Sequence, residues 1–126
     1  MNIKALDHTA DVAFEITADS PEELIKEATK AFYSVIGELK TKETNLEETT
    51  ELSLTGQSRA FLLRDYLSEL LYLFEVKNII LLNVRCLSFT ETELKVAGEK
   101  GFVDSKKSVY YKEVKAVTYH NLEVVQ

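Results

Sequence analysis

Apolar residues in this chain recur at two spacings, one of strands and one of helices. Val12, Phe14 and Ile16 alternate with Ala13, Glu15 and Thr17, the period-two pattern of a half-buried strand. Ser20-Pro21-Glu22-Glu23 then signals a helix start. The serine can cap, the proline suits the first helical position, and Glu23 completes a capping box. Leu24, Ala28, Ala31, Phe32, Val35 and Ile36 share one helical face, and Gly37 can close the helix. A polar, charged connection, Glu38 to Glu48, leads to a short strand marked by Leu52 and Leu54 that ends at Gly56. Ser58 opens a second helix. Its apolar face of Phe61, Leu62, Tyr66, Leu67, Leu70, Leu71 and Phe74 is broad enough to predict a largely buried helix.

Ile80, Leu82, Val84 and Cys86 alternate as a third strand, and Leu94 and Val96 as a fourth, across a turn near Thr90 to Thr92. Gly98 to Lys107 reads as a polar loop. Val114, Ala116, Thr118, His120, Leu122 and Val124 form one face of a last strand, with Lys115, Val117 and Tyr119 on the other. This order predicts an α+β fold: one mixed, largely antiparallel β-sheet with two α-helices packed on one face. The two helix-then-strand units suggest a β-α-β duplication in element order, although the two halves share little sequence.

Composition narrows the class. A chain of 126 residues with 45% apolar content is one domain's length and can build a core without metal or disulfide staples. The single cysteine, Cys86, excludes an internal disulfide, fits a reducing compartment, and reads as a small core residue. No basic-flanked apolar leader and no run of about 18–20 apolar residues is present, so the expectation is a cytoplasmic protein with no membrane partner. Fifteen basic against 21 acidic residues leave a net charge of −6, which argues against nonspecific wrapping of nucleic acid. Any link to RNA is expected to run through a protein.

Three clusters carry candidate chemistry. Asp7-His8-Thr9-Ala10-Asp11 places two carboxylates and an imidazole within five residues. On spacing alone it reads as a loop whose side chains satisfy backbone groups, with metal ligation as the alternative. In Leu67 to Glu75 the leucines and Phe74 are core positions, while Glu69 and Glu75 are solvated acids. In Glu113 to His120 the pattern gives a solvent-facing Lys115 and a half-buried, hydrogen-bonded His120. No Ser-His-Asp order, phosphate-binding glycine loop, nucleophile elbow or paired-cysteine metal motif occurs.

Taken together, Asp7-His8-Thr9-Ala10-Asp11-Val12, Glu69-Leu70-Leu71-Tyr72-Leu73-Phe74 and Val114-Lys115-Ala116-Val117-Thr118-Tyr119-His120 closely resemble the archease family, in its order and at about its spacing. The resemblance covers nearly the whole chain. It implies a non-enzymatic accessory protein of an RtcB-type RNA ligase, which joins RNA ends left by tRNA splicing. Such a protein speeds formation of the ligase's covalent guanylate and restores its turnover, reaching tRNA only through the ligase. The resemblance also implies a divalent ion, calcium in the family, with Asp11 as ligand and Lys115 as the functional lysine. Asp7, His8, Glu69, Thr118 and His120 are the supporting candidates.

The chain departs from the family pattern at several points. Ala13 stands for a usual glycine, Tyr66 for a common tryptophan, and Ser108 to Lys112 for a His- and Gly-containing approach to the last strand. A further strand ending in an aspartate belongs to the family, so the expectation is one archease-like domain over residues 1–126 that lacks it, with the second ion ligand beyond Gln126. Two rival functions remain at this point. A metal-dependent hydrolase using Asp11, His8 and His120 would need more convergent carboxylates, and a general chaperone would need a large exposed apolar patch.

Overall fold

The computed structural model describes residues 2–7, 12–42 and 49–111. Helix α1 (Pro21–Ile36) starts where the sequence predicts. The Ser20 hydroxyl accepts the Glu23 N–H at 3.1 Å, and Pro21 takes the first position. Such a cap contributes about 1 kcal/mol. Glu23 reaches back to the N–H of Asp19 (3.3 Å), one residue earlier than a standard capping box. Helix α2 (Arg59–Lys77) is capped likewise by Ser58, whose hydroxyl accepts the Phe61 N–H at 3.2 Å. It ends at Asn78, which turns the chain in the left-handed region with φ 58°.

The strands are β1 (Asn2–Asp7), β2 (Val12–Thr17), β3 (Gly37–Glu38), β4 (Thr49–Thr55), β5 (Ile79–Phe89), β6 (Glu93–Phe102) and β7 (Val109–Tyr110). The fold is α+β, and every strand pairing among the described residues is antiparallel. These pairings fall into three ladders rather than one sheet: β1 with β2, β3 with β7, and a three-stranded sheet ordered β4-β6-β5. Both helices pack against β5 and share one core with the three-stranded sheet. Among the described residues no helix is long and apolar enough to cross a membrane.

The α1 face follows the expected stripe, with Ala28, Ala31, Phe32 and Ile36 buried, and adds Ile25, which is fully buried. The α2 face is narrower than expected. Leu62, Leu63, Tyr66, Leu70 and Leu71 are buried, but Phe61 is 39% exposed and lies 5.1 Å from the Arg64 guanidinium. Tyr72 and Val76 are also exposed, so the opposite side of α2 faces outward. One polar contact joins the helices inside the core. Thr29 Oγ1 donates to the Ile25 carbonyl at 2.7 Å, which leaves the Tyr66 hydroxyl to donate to Thr29 across another 2.7 Å. Burial pushes the Tyr66 phenol up to about 12, so this donor is neutral at physiological pH.

Two strand assignments change. Alternation placed Ile80, Leu82, Val84 and Cys86 on one face of β5, whereas the core takes Leu81, Val84 and Phe89, with Cys86 packed at its margin. The cause is a register shift between Leu82 and Arg85, where Asn83 adopts φ 51°. An extra residue in one strand reverses the parity of all residues beyond it. Residues 98–102 belong to β6 rather than to a loop, pairing with Ile79 to Leu82 of β5 as far as Phe102. Gly101 explains why a polar, glycine-containing stretch can stay in the sheet. A Cβ there would come within 2.8 Å of both Leu82 Cδ1 and Thr41 Cγ2, so the glycine marks close packing and not a turn. The strand β1 went unread in the sequence, and the expected last strand, Val114 to Val124, lies outside the described residues.

Candidate functional site

The candidate site divides between two ends of chain segments that the described structure anchors. At the first, β1 and β2 form a hairpin in full register from Asn2↔Thr17 to Asp7↔Val12. Asp7 is thus the last residue of β1, paired with the first of β2, and residues 8–11 join them. His8 and Asp11 lie outside the described residues. Three residues, 18–20, link β2 to α1, which packs against β2, so the helix doubles back on the hairpin. A six-residue strand spans about 20 Å and a sixteen-residue helix about 24 Å. The C-terminal end of α1 therefore returns toward the Asp7/Val12 end.

At the second, the chain that leads into Glu113 to His120 is tied to the C-terminal end of α1 and the residues after it. Lys42 N–H donates to the Phe102 carbonyl (2.8 Å), Thr41 bridges Val103, and Asp104 N–H donates to the Lys40 carbonyl (2.7 Å). Ser108 Oγ accepts the Lys40 N–H at 2.8 Å and donates to the Lys40 carbonyl at 3.2 Å. Glu38 pairs with Val109 and Gly37 with Tyr110, and Tyr111 N–H donates to the Ile36 carbonyl at 2.8 Å. The Tyr110 ring rests 6.3 Å from that of Phe74 on α2. A hydrogen bond to Glu38 holds the Tyr111 phenol above its ordinary pKa. Lys115, Thr118 and His120 follow this strap and lie outside the described residues.

Glu69 sits half-exposed in the middle of α2, between exposed Tyr72 and buried Tyr66 and Leu70, and Glu75 is exposed. Both acids are on the solvent side, as their sequence pattern suggested. Cys86 is half-buried, and burial, with the Glu22 charge adding to it, pushes its thiol up. A raised thiol is a poor nucleophile, which leaves Cys86 to packing. Among the described residues no three of His, Cys, Asp or Glu gather closely enough to hold a metal ion.

An open cleft of about 870 Å³ lies between α1 and the bulged part of β5, lined by Lys26, Lys30 and Arg85 but also by Glu27 and Glu99. Lys30 pairs with Glu27 at 3.8 Å, and Glu99 accepts from Asn83 at 2.8 Å. The lining carries both signs of charge, and it concentrates no single-sign field that would select a ligand.

A model of the Archease protein family matches residues 4–126. The chain belongs to the archease family. The relative named Protein archease from Methanopyrus kandleri is 36% identical over 122 residues, covering 94% of this chain and 86% of its own. Protein archease from Methanosarcina barkeri is 36% identical over 127 residues, covering 96% of this chain and 84% of its own. The Dictyostelium discoideum Protein archease-like is 28% identical over 126 residues, with 98% and 83% covered. The family assignment spans all three blocks that first suggested it, including the two whose key residues are Asp11 and Lys115.

Sequence reasoning missed the strap. Gly37 was legible as a helix end, and 98–107 as polar, but the contacts that join them connect residues up to 68 positions apart. The only local signal was a glycine followed by alternating polar residues, which does not name its partner.

Proposed function

We propose that this chain is a cytoplasmic accessory protein of an RtcB-type RNA ligase. In this reading it is not itself an enzyme. It promotes guanylylation of the ligase and its multiple turnover in tRNA splicing and RNA repair, and it meets tRNA only through the ligase. The observation that carries the reading is family membership across residues 4–126. The net charge of −6 is consistent with it, since an acidic domain lacks the cationic surface needed to neutralise many phosphates by itself.

Asp11 is the proposed ligand of a divalent ion, calcium first, and Lys115 a fixed positive charge that acts with it. The donor set of the Asp7 to Asp11 block suits a hard ion through its two carboxylates. Calcium takes about 6–8 oxygens, so water, backbone or partner oxygens must complete the shell. A bound ion supplies positive charge toward the oxyanions of a nucleotide triphosphate or of ligase carboxylates. The Lys115 ammonium contributes a compact, strongly hydrated charge to the same end, and an aspartate such as Asp11 adds none of its own basicity at neutral pH.

The test is a guanylylation time course with purified ligase, GTP and the chain, with and without calcium. Faster accumulation of guanylylated ligase in the presence of the chain, reduced by chelation, is the expected result. Identical time courses with and without the chain would rule the reading out.

A further inference from the structure

The strap between residues 36–42 and 102–111 is mostly exposed, and β3 and β7 pair over only two residues each. Exposed ladders this short add little to global stability and are among the first parts of a fold to open. Its location gives it a different importance. The last tie, Tyr111 N–H to the Ile36 carbonyl, falls four residues before Lys115. Four residues of chain reach at most about 14 Å, so fixing Tyr111 limits where the lysine can go.

Gly37 makes that tie possible. Its φ of 156° lies where side chains are rarely tolerated, and a Cβ at this position would fall into the carbonyl oxygen of Val109. The same Cβ would come within 2.9 Å of both Tyr110 Cα and the Val109 carbonyl carbon. All three obstacles are backbone atoms, which cannot rotate aside as a flexible side chain would. Any other residue must lift Val109 to Tyr111 away from α1. Gly37 N–H meanwhile donates to the Tyr33 carbonyl and ends the helix, so one residue both closes α1 and seats the returning chain.

We infer that Gly37 is a positioning residue for the segment that carries Lys115, with Ser108 as its second anchor. The inference rests on the ligase reading above and adds to it a device that sets the origin of the functional lysine. Ser108 acts from the side of the returning chain, its hydroxyl bonded to both the N–H and the carbonyl of Lys40. A misplacement of about 1 Å at a charged group can lower a rate a hundredfold, so a loosened strap should be felt in activation before it is felt in folding.

The experiment uses the full chain carrying Gly37→Val, compared with wild type for amide hydrogen exchange, folded fraction and maximal ligase guanylylation at saturating chain. The Tyr111 amide should exchange about tenfold faster while amides in the middle of α2 are unchanged. Activation per folded molecule should fall about tenfold. A merely structural role would lower the folded fraction and leave activation per folded molecule at the wild-type level. Should Gly37→Val not fold, Ser108→Ala is expected to show the same two changes at smaller amplitude, and Ser108→Thr, which keeps the hydroxyl, to reverse them. Full activation by a variant with a loosened Tyr111, or unchanged Tyr111 exchange in Gly37→Val, overturns the inference. If Lys115→Ala is inactive while the loosened variant is active, the ligase reading stands and only the positioning role falls. A wild-type chain that does not activate the ligase removes both.

Discussion

Lys115→Ala is expected to remove nearly all ligase activation while changing stability by no more than about 0.5 kcal/mol. The two halves of that expectation come from different sources. A lysine on the polar face of a strand pattern makes few contacts whose loss would unfold the chain. A fixed ammonium aimed at developing negative charge, by contrast, is typically worth about a hundredfold in rate. Lys115→Arg separates two forms of the role. If only positive charge is required, arginine keeps much of the activation. If a compact ammonium must fit beside an ion and a phosphate, the larger planar guanidinium fails. Thermal melts and guanylylation rates of the three proteins decide between them. Full activation by folded Lys115→Ala would remove this residue from the site.

Asp11→Asn is expected to have the second largest effect. The amide preserves shape and much of the hydrogen-bonding capacity of the carboxylate, so the fold should melt near the wild-type temperature. It removes the negative charge that a hard divalent ion needs, and affinity for calcium should fall by at least about tenfold. Ligase activation should fall in parallel and recover partly at high calcium concentration. Calorimetric titration with calcium, alongside guanylylation over a calcium series, checks both statements. Unaltered calcium binding and activation would leave Asp11 as a residue that only satisfies backbone groups in its loop.

The parts of the fold that were readable in the sequence are those set by neighbours in the chain. Ser20 and Ser58 start helices because a serine hydroxyl reaches the N–H three residues on, a contact needing no information from elsewhere. The apolar stripe of α1 was readable for the same reason. The bulge at Asn83 was not, because a register shift is defined by the partner strand and reverses the parity of everything after it. The continuation of β6 through Gly101 was also hidden, since a glycine in a polar stretch signals a loop unless the close approach of Leu82 and Thr41 is known. Phe61 looks like core by spacing, yet lies at the edge of what α2 covers, where Arg64 shields it.

The site was readable in a different way. Spacing alone favoured a backbone-satisfying loop for Asp7 to Asp11 and a solvent-facing Lys115, because neither block contains a self-sufficient ligand set or catalytic order. The family pattern singled out Asp11 and Lys115. The described structure then adds what neither source held: a closed hairpin that ends at Asp7 and Val12, and a strap that holds the chain up to Tyr111.

The most direct measurement of the central claim is multiple-turnover ligation of a broken RNA supplied in excess over purified ligase, with GTP and calcium present. Ligase with this chain is expected to join many RNA molecules per ligase, and ligase alone to stop after about one, its guanylate spent and slowly renewed. Equal numbers of joined RNAs per ligase with and without the chain would contradict the account.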